Sequence, residues 1–207
     1  MRVRPVSPDL VAAELAERID ASSPRRVAID GAPGAGTSEF AEALVDPLRV
    51  RGREVIRVST VDYLRPASLR LEHGRDDPDS YYFEWFDFGG LAREVLDPLA
   101  PGGSGRVLPA LWDAAADRSP RKDRVALQAG GIVLVDGPLL LGAGLAFDFS
   151  VHLWLPAPAL RRRMPEDQHW TLPAFDRYAE EVHPERVADY VVRVDRPGRP
   201  AVVDSLD

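Results

Sequence analysis

The chain has 207 residues with 33 acidic and 26 basic side chains, a formal charge of −7, and its basic residues are 25 arginines and one lysine, Lys122. At 45% hydrophobic it is no disordered chain. Its length fits one domain at about 150 residues per domain with room for an insertion, and no apolar run approaches the roughly 20 residues that a membrane span requires. With no cysteine, disulfides, thiolate metal sites and cysteine nucleophiles are all excluded. Met1 to Ile19 lacks the apolar core of a secretory signal, so a cytoplasmic protein is expected, with no membrane partner. The acidic balance disfavours nucleic acid, whose nonspecific affinity comes mainly from cations on phosphate. The arginine excess reads as a compositional habit, and it has one corollary: a site whose chemistry demands a lysine must use Lys122 or do without.

Along the chain, Ser7-Pro8-Asp9 followed by Leu10, Val11, Leu15 and Ile19 predicts a capped helix ending before Ser22-Ser23-Pro24. Arg26 to Asp30 is a short β-branched run, read as a buried strand. Phe40 to Val50 is the helix that follows, with Pro47 weakening its last turns. Further strands are expected at Glu54 to Ser59, Ile132 to Val135, Phe149 to Leu155 and Tyr190 to Val194. Between the second and third lie a charged, turn-rich stretch from Arg65 to Asp79, a helical and aromatic stretch from Ser80 to Leu96, and the loop Ala100 to Gly105. Strands alternating with helices imply an α/β fold: a parallel sheet of about five strands with helices on both faces.

The strand ending at Asp30 runs into Gly31-Ala32-Pro33-Gly34-Ala35-Gly36-Thr37-Ser38 and then a helix. Open backbone N–H groups ahead of a helix N-terminus make an anion cradle. The spacing matches the phosphate-binding pattern G-x-x-x-x-G-K-[ST] except that Thr37 stands where lysine belongs. An ordinary strand-to-helix turn is the plainer alternative, and a dinucleotide G-x-G-x-x-G reading fails on spacing. The missing cation withdraws an electrostatic contact on the scale of roughly 10²- to 10³-fold in rate. Phosphate binding by backbone N–H groups survives it.

Taken in order, several pieces resemble the uridine kinase-like branch of the P-loop nucleoside kinases, with their pantothenate kinase and phosphoribulokinase relatives. They are Ile29-Asp30-Gly31 into the loop, Val58 to Tyr63 with Arg65-Pro66, Gly74 to Pro78, Tyr81-Tyr82 through Phe86-Asp87, Leu96 to Leu99 with Pro101-Gly102-Gly103, Val133 to Gly137, and Ala188 to Val192. The resemblance spans nearly everything from Arg26 to Val194. It implies a P-loop kinase-like fold, ATP and Mg²⁺ as cofactors, and transfer of the ATP γ-phosphoryl to a hydroxyl of a nucleoside-like small molecule.

By the same resemblance, Ser38 and Asp136 would hold the metal, and residues 31–38 the phosphates. Asp62 would stand near the acceptor hydroxyl as base, although the family's base position falls one residue earlier, on Val61; a capping carboxylate is the alternative for Asp62. Asp136-Gly137 also reads as a turn. The region from about 65 to 112 corresponds to the acceptor site, where Tyr81, Tyr82, Glu84, Asp87, Trp112 and Arg118 are candidate substrate contacts, most aromatic rings there being core. Asp117 stands in place of a histidine, which puts pyrimidine specificity in question. Arg161, Arg162 and Arg163 would close over the phosphates as substitute cations, or form a basic helix face paired with local acids. About ten lid residues are absent between about 160 and 172, judged against the longer closing lids usual for such sites. Loss at position 37, at Val61 and in the lid together keeps a second reading open: a catalytically silent nucleotide-binding relative acting as sensor or partner. A third reading is a structural or assembly protein that keeps only the fold. The sequence leaves a homo-oligomer open.

Overall fold

The computed structural model describes residues 2–196 and 198–204. In chain order the elements are β1 (Arg2–Pro5), α1 (Pro8–Ser22), β2 (Arg26–Asp30), α2 (Thr37–Val50), β3 (Val55–Ser59), the short helices α3 (Ala67–Arg70), α4 (Pro78–Glu84) and α5 (Phe88–Leu91), a two-stranded ribbon of β4 (Arg106–Val107) and β5 (Val125–Ala126), then β6 (Ile132–Gly137), β7 (Phe149–Trp154), α6 (Ala157–Arg163), α7 (Leu172–Glu181), α8 (Pro184–Val187), β8 (Tyr190–Arg193) and β9 (Ala201–Asp204). The sheet order is β1-β9-β8-β7-β2-β6-β3. The five strands expected from sequence form its parallel part, with β2 central between β6 and β7. Two antiparallel strands, β9 and β1, extend the edge beyond β8.

Strand periodicity sorts the core into two layers. Val27, Ile29, Ile132, Leu134, Val151 and Leu153 pack against α1 and α2 on one face, with Leu15, Ile19, Leu44 and Leu48 opposite them. Ala28, Val133 and Val135 point the other way, into a second layer built from Tyr63, Leu91, Leu96, Leu140, Phe175 and Tyr178. Ser7 caps α1 as expected, its Oγ accepting from Leu10 N at 3.3 Å. α2 begins earlier than the apolar spacing indicated, at Thr37, because Gly36 at φ 79° turns the chain directly into the helix; Pro47 lies inside it without ending it.

The stretch from Ser80 to Leu96 departs from the expected single helical run. It breaks at Trp85 to Asp87, where Phe86 bridges to Leu64 and Asp87 N donates to Tyr63 O at 2.7 Å. Asp87 then caps the next turn, accepting from Gly90 N at 2.7 Å, and Ala92–Leu96 is wound as a wide π-helical turn. Capping by Asp87 and strand-like pairing of Phe86 outcompete helix propagation there.

Candidate functional site

Because β2 and β6 are parallel neighbours, with Ile29 paired to Asp136 and Asp30 to Gly137, two carboxylates reach the C-terminal edge of the sheet together. They point to opposite faces. Ligands of open α/β sheets sit at this edge.

On the α2 face, Asp136 is wholly buried. Its Oδ2 accepts from Ser38 Oγ at 2.6 Å and from Ser59 Oγ at 3.2 Å, and its Oδ1 accepts from Arg57 Nη2 at 3.0 Å. Arg57 and Ser59 are two residues apart on β3, hence on one face, and Ser59 is the register partner of Asp136. Arg57 Nη1 also donates to Glu42 on α2 at 2.5 Å. Burial works against the guanidinium's charge, but the hydrogen bonds to Glu42 and Asp136 more than offset it and raise its pKa above the ordinary value. Gly137 has φ 149°, and a Cβ there would fall 1.9 Å from Thr60 Oγ1, so only glycine lets the ends of β6 and β3 approach this closely.

The loop expected to cradle phosphate leaves β2 as Gly31-Ala32, makes a tight turn over Pro33–Ala35 and enters α2 through left-handed Gly36. Thr37 is buried, and its methyl lies beneath the loop, 3.1 Å from where a Gly31 side chain would begin. Ser38, next in line, carries the hydroxyl that reaches Asp136.

On the opposite face Asp30 is equally buried. His152 Nδ1 lies 2.7 Å from its Oδ2, while its Oδ1 accepts from Tyr178 Oη and from Leu140 N, both at 3.0 Å. Tyr178 Oη in turn accepts from Leu141 N at 3.0 Å. Burial, followed by the Asp30 charge, raises the Tyr178 phenol above its usual range. The root of the loop is therefore tied to β7, to α7 and to the segment after β6.

Asp62 lies in a 3₁₀ turn directly after β3. Burial first, then repulsion from Asp136 and Asp113, raises its carboxyl pKa, while Lys122 pulls it down. The chain's one lysine thus acts on this edge from the far side of the sequence. Leu111 N and Trp112 N both donate to the Asp62 carbonyl, at 2.9 and 3.0 Å, drawing the Trp112 segment against it. Val61 is 58% exposed.

The remaining candidates divide. Tyr81 is buried in an aromatic cluster with Trp85, Phe86, Trp170 and Phe175, so its ring is core. Tyr82 instead lines a groove of about 650 Å³ with Phe83, Phe88, Leu139 and Leu141, its hydroxyl 3.1 Å from Glu181. Asp87 caps its helix, as described, and Glu84 faces His73 at 3.8 Å. Trp112 Nε1 donates to Asp117 Oδ1 at 3.2 Å, and Asp117 also holds Ala67 N, so this anion fixes the loop. Arg118 is exposed and closes that loop through paired backbone bonds with Asp113. Arg161 and Arg162 are exposed on α6. Arg163 packs behind the loop, donating to Gly34 O at 3.4 Å and Val194 O at 2.6 Å.

Arg57, Ser59, Asp30, His152 and Tyr178 were not singled out from sequence. A signal existed for three of them: a charged or imidazole side chain inside the apolar runs Val55–Ser59, Arg26–Asp30 and Phe149–Trp154 needs a buried partner.

The fold recurs in solved structures. A possible uridine kinase from Bacillus stearothermophilus superposes with a TM-score of 0.66 at 23% identity, covering 86% of this chain and 98% of that one. The chain has a P-loop kinase-like fold. A candidate fructose transport system kinase from a Silicibacter species gives 0.59 at 23% identity over 84% of this chain and 90% of that one. The YGR205w protein gives 0.52 at 14% identity over 88% and 82%. No protein-family model and no curated protein matches the chain. Among the described residues no helix is long and apolar enough to cross a membrane.

Proposed function

We propose that the protein binds a nucleoside triphosphate, ATP in the first instance, with its phosphates on the backbone of residues 31–38, and passes the terminal phosphoryl slowly to a small-molecule hydroxyl. The observation that carries the reading is the glycine loop of a kinase-like fold entering α2 through left-handed Gly36, beside Ser38 and Asp136. The helix N-terminus and the unhindered N–H groups favour an anion there.

In the transfer step the acceptor oxygen attacks the γ-phosphorus, its proton passes to the Asp62 carboxylate, and the bond from the γ-phosphorus to the β-γ bridging oxygen breaks to release ADP. A carboxylate with a raised pKa is the better base for this. The acceptor would lie along 65–112, with Tyr82, Phe83 and Trp112 among the aromatic faces left accessible. Magnesium, which such folds imply, would neutralise phosphate charge when bound. Its expected ligands, Ser38 and Asp136, are near one another, but each is committed to a partner within the chain and Asp136 already carries a cation. No step here is routed through the metal.

A second reading, nucleotide binding without transfer, is favoured by one observation: position 37 supplies no cation, since Thr37 is buried beneath the loop, and Arg163, which contacts the loop, binds carbonyls behind it. Calorimetric titration with ATP, followed by an ADP-release screen over nucleosides and pantothenate-like alcohols, separates the two. Saturable binding with release for one acceptor supports transfer; binding with release for none supports the silent reading. No binding at millimolar ATP would overturn both.

A further inference from the structure

Asp136 is buried with three of its acceptor sites already in use: one oxygen holds two hydroxyls and the other a guanidinium. Magnesium wants near-ideal octahedral oxygen ligands at about 2.0–2.1 Å and gives up its water reluctantly. To bind Asp136 it would have to displace Arg57 or sit beside it as a like charge. Arg57 cannot easily withdraw, because Glu42 anchors its other terminal nitrogen. Among the described residues no group of three acidic or histidine side chains offers a metal an alternative seat.

Resting on the nucleotide-binding reading above, we propose that Arg57 takes the place of the divalent cation on Asp136, so that nucleotide phosphate binds the 31–38 loop without magnesium. The charge arithmetic supports the substitution. An unneutralised Asp136 beneath the loop would repel incoming phosphate, and position 37 supplies no cation to counter it. A guanidinium fixed to β3 and bridging the two carboxylates, with one hydrogen bond to each, offsets the buried Asp136 charge without a metal, while the excess negative charge rests on the largely exposed Glu42, where water screens it. Ser38 and Ser59 also donate to Asp136, and of the loop's backbone N–H groups those of Gly31 and Ala35 are bonded within the chain, so the phosphates would use the others.

The test is ATP affinity measured by calorimetry in excess EDTA and again in millimolar MgCl₂. The proposal expects dissociation constants within about threefold of each other, and magnesium tightening binding by about tenfold or more would overturn it while leaving nucleotide binding intact. Absence of binding in both buffers would instead remove the nucleotide reading and this inference with it. Mn²⁺, followed by its free electron-spin signal against a protein-free Mn²⁺–ADP control, should show no additional uptake by the wild-type protein with ADP present; one additional equivalent taken up would count against the proposal. Arg57→Gln, which keeps a polar side chain but neither the charge nor the reach of the guanidinium, should acquire a magnesium dependence of about tenfold or more. Its retention of wild-type, metal-indifferent affinity would show that Arg57 is not what replaces the metal. Glu42→Gln, at a largely exposed position, leaves Arg57 on Asp136 and should remain metal-indifferent. Should Arg57→Gln fail to fold, the wild-type pair of titrations and Glu42→Gln still decide.

Discussion

Replacing Asp30 by alanine removes an acceptor that three buried donors share: His152 at 2.7 Å, Tyr178 Oη at 3.0 Å and Leu140 N at 3.0 Å. Each donor left unpaired costs about 1–3 kcal/mol. Part of that is offset, because the variant no longer buries a carboxylate, and truncating one member of a buried charged set costs about 3–5 kcal/mol overall. Asp30→Asn keeps one carbonyl oxygen for Tyr178 and Leu140 and turns an amide toward His152 Nδ1, which accepts once the ring carries its proton on Nε2. The asparagine variant should therefore lose only about 1–2 kcal/mol. Urea titration followed by circular dichroism reads both, with the slope unchanged and the midpoint lowered in the order wild type, Asn, Ala. In a thermal scan the alanine variant should melt about 10 °C below wild type, at 2–4 °C per kcal/mol for a chain of this size. Since Gly31 follows directly, the alanine variant should also bind ATP more weakly. An Ala variant within about 1 kcal/mol of wild type would refute the reasoning, because the shared carboxylate would then be replaceable by water or by repacking.

Three further outcomes are expected. Tyr178→Phe strands Leu141 N and should cost about 1–3 kcal/mol in the same titration, less than additively with Asp30→Ala because they share a bond. Thr37→Lys, alone or with Val61→Asp, should raise ADP release by up to about 10²–10³-fold if the absent cation limits transfer, and tight ATP binding with no gain would place the block in the acceptor region. For Asp62 the native carboxyl pKa lies above its unfolded value, so the native state binds more protons between the two and stability falls as pH rises through that window, then levels off. Asp62→Asn should accordingly be slightly more stable than wild type at pH 7, by under about 1 kcal/mol for a half-exposed group, with the gap closing below pH 3.8; a constant gap from pH 3 to 7 would contradict it.

The five parallel strands were legible because each is a short β-branched run between turn residues, and central parallel strands are apolar on both faces. β1 was not, since Arg2–Pro5 alternates charge with apolar residues and is held only by pairing with Ala201–Asp204 at the other end of the chain. No local pattern encodes that contact. Ser80 to Leu96 read as one helix because its aromatic spacing is helical, while the break depends on Phe86 finding Leu64 across the fold. The site shows the same division. Ser38 and Asp136 could be named from motifs, and they are in contact at 2.6 Å; Arg57 and His152 passed as strand residues, because their partners are 79 and 122 positions away.

What the fold adds is an account of where the cations went. The loop itself carries none, and the structure distributes positive charge around it in three unlike ways. Arg163 lies behind it, bound to carbonyls, and braces its shape without offering charge to a ligand. Arg57 lies beneath it, locked to Asp136 and Glu42, and neutralises the strand-end acid. Lys122 is exposed, as are Arg161 and Arg162 on α6, and its charge is felt at Asp62. Arg163 and Arg57 are both fixed by partners within the chain, so their removal should cost stability. Lys122 carries the chain's one ammonium, a compact and strongly hydrated charge on a flexible stem. Lys122→Gln should leave the melting temperature within about 2 °C of wild type, the effect of a surface change of about 0.5 kcal/mol. It should shift the acid limb of any ADP-release profile to higher pH, because Asp62 loses the one charge that lowers its pKa. An unshifted limb in an active protein would mean that Asp62 is not the group whose ionisation the reaction reads.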